Sequence, residues 1–413
     1  MGPIALFDKS FLESLNVDEA VLFDFFFYPV TCPIFYVETL ADLDKPANRG
    51  RTAEEVVGSI AFKTPQMHGG PSVHHRTLVL ENLMGREIPM TGQIMVAGGI
   101  PVQVNGETGV VFRKMPEAEA FSRWQQGEFE EIERAFATQW RQELRTLSLH
   151  DVAAQAKHYG LDLSSCKTIE DAKDLANLVI SSLPPKLQLM FAVDKFQVPA
   201  ELREPILQNW QAAGEPTLAK LAPYAHFVLK IQVFFEVALA TGKISADRPS
   251  NLNDIAYLFY LPFCMVFLST DRLHRTCAPL FMGPDQQFLW GSDVKADLQA
   301  NHRALMELPE ADRNRGLLSL SPRPQEGGLI ASVYETQFKA PRETPSRPSP
   351  HSDRMDHELA AKLQSFNETA AHQSGTPESF DPNDAQSMTI ERYIHKKRGS
   401  WFQVPHDTQP TAE

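Results

Sequence analysis

Residues 250–274 read SNLNDIAYLFYLPFCMVFLSTDRLH, and this stretch decides the fold. Ser250 and Asn251 are common helix N-cap types. Asp254 falls in the first turn that follows, where a carboxylate complements the exposed N–H groups. Pro262 closes that short helix. Residues 263–268 are then apolar without alternation, the pattern of a strand covered on both faces, and Ser269, Thr270 and Asp271 follow at its end. In open parallel α/β sheets the crevice beyond the carboxyl ends of the strands is where ligands bind, so Asp271 stands where chemistry is placed. Taken singly, Asp254 is an ordinary first-turn residue and Asp271 an ordinary turn former.

The opening of the chain changes that balance. In IALFDKSFLESL, residues 4–7 are a second apolar run ending in an acid, Asp8, with Ser10 and a helical pattern through Phe11, Leu12 and Leu15 behind it. In CPIFYVETLADL, Glu38 follows a further apolar run over residues 34–37. An Asp ends the first strand, a Glu follows the next apolar stretch, an Asp opens a late helix, and an Asp ends the strand after it. That order resembles the PIN-like nuclease family over roughly residues 3–45 and 250–295. The interval between Glu38 and Asp254 is far longer than a minimal domain of that family carries. The resemblance implies a PIN-like (Rossmann-like) α/β fold, a parallel sheet flanked by helices with an inserted mainly helical domain. It implies a metal held by Asp8, Glu38, Asp254 and Asp271, with Ser10 and Thr270 as neighbours that orient ligands or water.

If the four acids converge as the resemblance implies, electrostatics asks for a cation among them. Two carboxylates about 4 Å apart repel by about 4 kcal/mol at an effective dielectric near 20, so four that converge take up protons or demand a cation. All-oxygen ligands favour Mg²⁺ or Mn²⁺ over zinc, and such ions neutralise a phosphodiester and activate water. Arg272, His274 and Arg275 form the densest basic group beside this constellation, suited to phosphates; a solvated loop explains them equally well. Asp285 and Asp293 are spare acids nearby.

The chain of 413 residues is 43% hydrophobic, ample for a buried core, and its length suggests two or three domains. A net charge of −13 argues against broad electrostatic capture of nucleic acid, which normally leaves a basic footprint. Cys32, Cys166, Cys264 and Cys277 lie far apart with no CxxC pair, as expected of reduced buried thiols in a cytoplasm. No basic segment followed by an apolar stretch and cleavage site marks the start, so export is not expected. The aromatic run over residues 21–37 is broken by Asp24, Pro29 and Pro33, and residues 224–241 carry His226, Lys230, Gln232 and Glu236. The first reads as two packed elements and the second as a core helix, with no membrane contact. No GxxxxGK[ST], GxGxxG or GxSxG pattern occurs, which removes phosphate-cradling loops and serine-nucleophile elbows.

Composition divides the rest. The α/β core is expected over 1–45 and 245–320. Residues 46–80 turn polar and Gly/His-rich and read as loop, His68, His74 and His75 included, and Asn105-Gly106 centres a hairpin, so 46–115 form a loop-and-hairpin insertion. From Pro116 the period becomes helical: Phe121, Trp124, Ile132, Phe136, Trp140 and Leu144 predict one long amphipathic helix whose stripe packs in the core, opening a helical insertion over 116–244. Within it, Thr168 with Asp171 predicts a capping box, Pro199 a helix start and Gly242 a helix end. Residues 287–290 suggest a short strand and 293–298 the start of a helix. Pro, Ser, Thr and Glu dominate 321–386, which predicts disorder. Residues 387–413 end in an aromatic and basic element, with Trp401 and Phe402 beside Lys396, Lys397 and Arg398, suited to docking a protein partner or nucleic acid through 387–405.

Three functions follow from these residues: a metal-dependent ribonuclease (RNA, or single-stranded DNA, as substrate), a non-catalytic interaction protein on a degenerate PIN-like core, and a hydrolase of small phosphate esters. The acidic total favours the last two, and four acids in that order favour the first.

Overall fold

A computed structural model describes residues 2–46, 50–113, 115–156, 160, 162–338, 353–372, 387–390, 392 and 394–406. Its centre is a five-stranded sheet built from β1 (Ile4–Phe7), β2 (Tyr28–Thr31), β3 (Gly70–Pro71), β6 (Val266–Ser269) and β7 (Gln287–Trp290), all paired in parallel. The strand order is β3-β2-β1-β6-β7. The chain leaves β1 towards β2 on one side and returns to β6 on the other, so the order reverses between β1 and β6. The carboxyl ends of that pair are the topological switch point, the place where open α/β sheets bind ligands. Both strands are buried along their whole length, which accounts for their unbroken apolar runs.

The register Ala5↔Val266, Leu6↔Phe267 and Phe7↔Leu268 brings Asp8 and Ser269 to the same level. Below them, Phe7 meets Phe23 and Phe35 edge-on at centroid distances of 5.4 and 5.2 Å, a geometry that suits the ring quadrupoles. The helix Pro223–Ala240 is apolar around most of its circumference and buried, as its run of hydrophobic residues predicts. Its Phe234 packs on Phe281 at 5.0 Å, so the helices of the middle of the chain and the sheet share one hydrophobic core. No helix among the described residues is long and apolar enough to cross a membrane.

Several local expectations hold. The hairpin joins β4 (Gly99–Val104) to β5 (Glu107–Phe112) antiparallel. Asn105 and Gly106 both have positive φ, 53° and 83°, as the tight turn requires. Thr168 and Asp171 form a capping box, a helix spans Ala200–Ala212 behind Pro199, and Gly242 at φ 69° follows the C-cap Thr241. All four cysteines are free and buried.

Other expectations are corrected. Residues 46–80 are not loop throughout: helices Ala53–Lys63 and His75–Leu83 flank β3, which joins the main sheet as its edge. A Thr52–Glu55 capping box and the buried stripe Val57, Ile60 and Ala61 drive the first, while the Gly/His bias is confined to the turn between them. The single long helix after Pro116 is two, Pro116–Trp124 and Glu131–Thr146, broken where Gly127 takes φ 76°. The aromatic stripe divides with it, since Trp124 is fully buried and Ile132 is 73% exposed. Residues 34–37 are helical, because Pro33 opens a helix over Pro33–Ala41 and the preceding strand is β2. Pro262 does not end the helix Asn251–Tyr257; it sits within a 3₁₀ segment, Leu258–Phe263, and Ser250 provides no side-chain cap.

Disorder over 321–386 is replaced at two places by helices, Leu329–Gln337, which buries Ile330 and Val333, and Asp353–His372. Of the rest of that expectation, 321–328 and 338 are described and lie outside the helices, while 339–352 and 373–386 lie outside the described residues, as do residues 391, 393 and 407–413 of the expected terminal element. β8 (Ser387–Ile390) adds a parallel strand to β5. The aromatic and basic segment beyond it docks on the chain's own core: Trp401 is buried and Arg398 is fully buried, donating to the carbonyls of Phe62 and Thr64.

Candidate active site at the strand ends

Asp8 follows β1 directly and caps the helix Lys9–Ser14, its Oδ1 accepting from the Phe11 N–H at 2.9 Å. Its Oδ2 accepts from the hydroxyls of Ser10 and Ser269, each at 2.7 Å, and lies 3.1 Å from His274 Nδ1. Across the switch point, Asp271 caps the helix Arg272–Phe281 through the Leu273 N–H at 2.6 Å. Hydroxyls stitch the two strand ends together: Thr270 Oγ1 and Ser10 Oγ are 2.7 Å apart, and the Asp271 N–H donates to Ser269 Oγ at 2.9 Å. Ser10 and Thr270 therefore stand where the sequence suggested.

His274 departs from expectation. It does not join Arg272 and Arg275 at the surface, because a helix that starts at Arg272 turns its third residue inward, and the ring is 0% exposed. Its Nε2 donates to the Asp254 carbonyl at 2.7 Å, while Nδ1 faces Ser269 Oγ at 2.8 Å and Asp8 Oδ2 at 3.1 Å, surroundings that suit a protonated ring. Burial works against the charge. The hydrogen bond and charge of Asp8, helped by Asp254, outweigh it and raise the imidazole to about 9. Arg272 and Arg275 remain exposed, with Arg275 lying 4.9 Å over the Trp290 ring.

Glu38 lies on the helix Pro33–Ala41, and its Oε2 accepts from the Tyr257 hydroxyl at 2.7 Å. Burial raises its carboxyl above the ordinary range against the pull of Lys9 and Tyr257, with Asp8 adding to the rise. Asp254 is raised to about 7, by burial and then by the negative charges of Glu38, Asp271 and Asp8, with His274 offsetting part of this. Four acids far apart in sequence thus share one electrostatic neighbourhood at the switch point. Asp285 and Asp293 are exposed and stay outside it.

The donor set, four carboxylates with no thiolate, suits a hard divalent cation in chemistry. Cys32 beside it is held protonated at about 12 by burial. In arrangement, no three His, Cys, Asp or Glu side chains among the described residues stand together as a metal-holding group. Asp8 explains part of this, since its Oδ2 is already engaged by two hydroxyls and the His274 ring.

Three residues of this neighbourhood were not singled out from the sequence. Ser269 immediately precedes Thr270 and Asp271. Tyr257 lies one helical turn after Asp254, a spacing that signals a shared face. Lys9 reaches the Glu38 carbonyl at 3.4 Å and pairs with the buried Asp42, a contact across 33 positions that no local pattern marks. No family model, curated protein or solved structure matches this chain.

Proposed function

We propose that this protein is a metal-dependent phosphodiester hydrolase with a PIN-like core, cleaving RNA with Asp8, Glu38, Asp254 and Asp271 as its carboxylates. The observation that carries this reading is Asp254: a carboxyl raised to about 7 first by burial and then by the charges of Glu38, Asp271 and Asp8, beside the switch point of a parallel sheet. Such crowding of like charge is unfavourable for folding alone and is relieved by a cation. Mg²⁺ or Mn²⁺ bound there would supply charge neutralisation for a phosphodiester and an activated water.

The chain's own groups divide the remaining work. Tyr257 fixes the Glu38 carboxylate, and Ser10, Thr270 and Ser269 lock the two strand ends in register. Arg272, exposed at the start of its helix, is available to a phosphate.

The His274–Asp8 pair favours a second reading, a non-catalytic scaffold on a degenerate core, because an internal cation already neutralises one of the four acids. The deciding experiment is Mn²⁺-dependent cleavage of a mixed RNA and single-stranded DNA pool by the intact protein, with Asp271→Asn and a chelator as controls. Asparagine keeps the helix cap, so the variant removes charge without removing the fold. Cleavage of RNA that disappears in both controls supports the nuclease. No cleavage and no Mn²⁺-induced rise in melting temperature supports the scaffold, and a rise without cleavage points to a small phosphate ester.

A further inference from the structure

A second site lies away from the strand ends, on the edge of the sheet. A cavity of about 290 Å³ opens between β2, β3, β5 and the helix Pro116–Trp124. Its walls include the rings of Tyr28, Phe112 and Phe121, and its polar lining includes Arg113, Glu117 and Gln125. Each of these three carries a buried atom with no hydrogen-bond partner among the described residues: Arg113 Nε, Glu117 Oε2 and Gln125 Oε1. Buried polar atoms are nearly always paired, and three orphans around one cavity call for a partner there.

We infer that this cavity binds a planar bicyclic heteroaromatic ring, specifically a purine base. Size sets the first limit: a cavity of about 150 Å³ holds one benzene ring, so about twice that volume accommodates two fused rings. Chemistry sets the second, because aromatic walls suit a flat π-system and the orphans comprise one donor and two acceptors. Charge sets the third. The lining holds Arg113, Arg392 and Glu117, both signs together with one positive charge in excess, and Arg392 already donates to the Gln66 and Gly69 carbonyls, so the cavity calls for a group that carries both acceptors and donors. A neutral ring with both donors and acceptors on its edge meets all three conditions, and among the purines guanine offers the best match, adjacent N–H donors for Glu117 with acceptors for Arg113. Arg113 is held by its Nη2 on the Asn367 carbonyl at 3.1 Å and Gln125 by its Nε2 on the Ala61 carbonyl at 2.9 Å, which leaves Arg113 Nε and Gln125 Oε1 without a partner among the described residues.

This inference is independent of the chemistry at the strand ends. Its test titrates the full chain with guanosine, adenosine and indole by calorimetry, and in a parallel arm with short oligopurine and oligopyrimidine RNA in the presence of chelator. Ala118→Trp, at an exposed helix position on the cavity rim, fills the site without touching the core, and Glu117→Gln removes one acceptor charge. Saturable guanosine binding, weakened about tenfold or more by both variants, is the expected result. Binding confined to oligopurine and abolished by Ala118→Trp assigns the ring to a nucleic-acid strand instead of a free nucleoside, and equally supports the site. The inference is overturned if no purine binds at millimolar concentration, if Ala118→Trp leaves binding unchanged, or if indole binds as tightly as guanosine.

Discussion

Two aspartates, Asp8 and Asp24, are equally hidden in this protein and differ in everything that surrounds them. Asp24 accepts from three consecutive backbone N–H groups, those of Gln66, Met67 and His68, at 2.6, 2.7 and 3.0 Å, and faces the buried Arg398 at 3.8 Å. Its charge is answered from every side, and its work is to pin the 66–68 turn to the helix Val17–Phe26 and to the segment that carries Arg398. Asp8 is answered by one backbone N–H, two hydroxyls and the His274 ring, while Glu38 and Asp254 add like charge beside it. A fold that needed only stability would have no reason to gather these acids. Burial alone therefore does not separate an acid that holds the fold from one of the kind the proposed function requires; the sign of the neighbouring charges is what differs.

The largest effect that tests this contrast belongs to Asp24. Asp24→Ala leaves Arg398 buried and unpaired and strips three N–H groups of their acceptor, and is expected to cost about 3–5 kcal/mol in urea denaturation. A loss under about 1 kcal/mol would mean that the turn is held by something else.

Next in size is the pH dependence set by His274. Its folded value of about 9 lies above the ordinary 6.5, so its contribution is complete below about pH 6.5 and disappears as pH rises through about 9. The loss is on the order of 3 kcal/mol, measured by denaturation in chelator across that window, and His274→Asn should flatten it. An unchanged slope in the variant would remove the imidazolium from the account.

The smallest change has the opposite sign. Asp254 is raised to about 7 from 3.8, so its ionisation penalises the folded state: the penalty is absent below about pH 4, grows through 7 and is complete above it. Asp254→Asn should therefore stabilise the protein at pH 8 by on the order of 1–3 kcal/mol while abolishing cleavage, the trade expected of a group kept for chemistry. Destabilisation of that variant would show the two aspartates to be alike after all.

Much of this arrangement was legible beforehand. Residues 4–7 and 263–268 announced buried strands because a strand covered on both faces has no polar alternation, although the second strand begins only at Val266 and runs to Ser269. The interior position of His274 was not legible, since a basic residue between two arginines gives no sign of which one a new helix turns inward. Nor was the role of Asp24, whose partners lie 42 and more positions away. Gly127 concealed the break between two helices because the hydrophobic period on either side of it continues nearly in phase. Composition misled most where it averaged over unlike neighbours: the Gly/His-rich turn at 68–75 masked the capped helices on both sides of it.

The hydrogen bond from Ser269 to Asp8 joins residues 261 positions apart. Closing a loop of that length costs about 5 kcal/mol of chain entropy before any contact offsets it, and non-local pairings of this kind form slowly. The two strand ends that carry the acids consequently meet late, whatever local helices form first. A chain emerging from the ribosome would hold Asp8 and Glu38 for the synthesis of more than two hundred further residues before Asp254 and Asp271 join them. Any activity of this site is thus timed by topology, and its appearance would report that the sheet has closed.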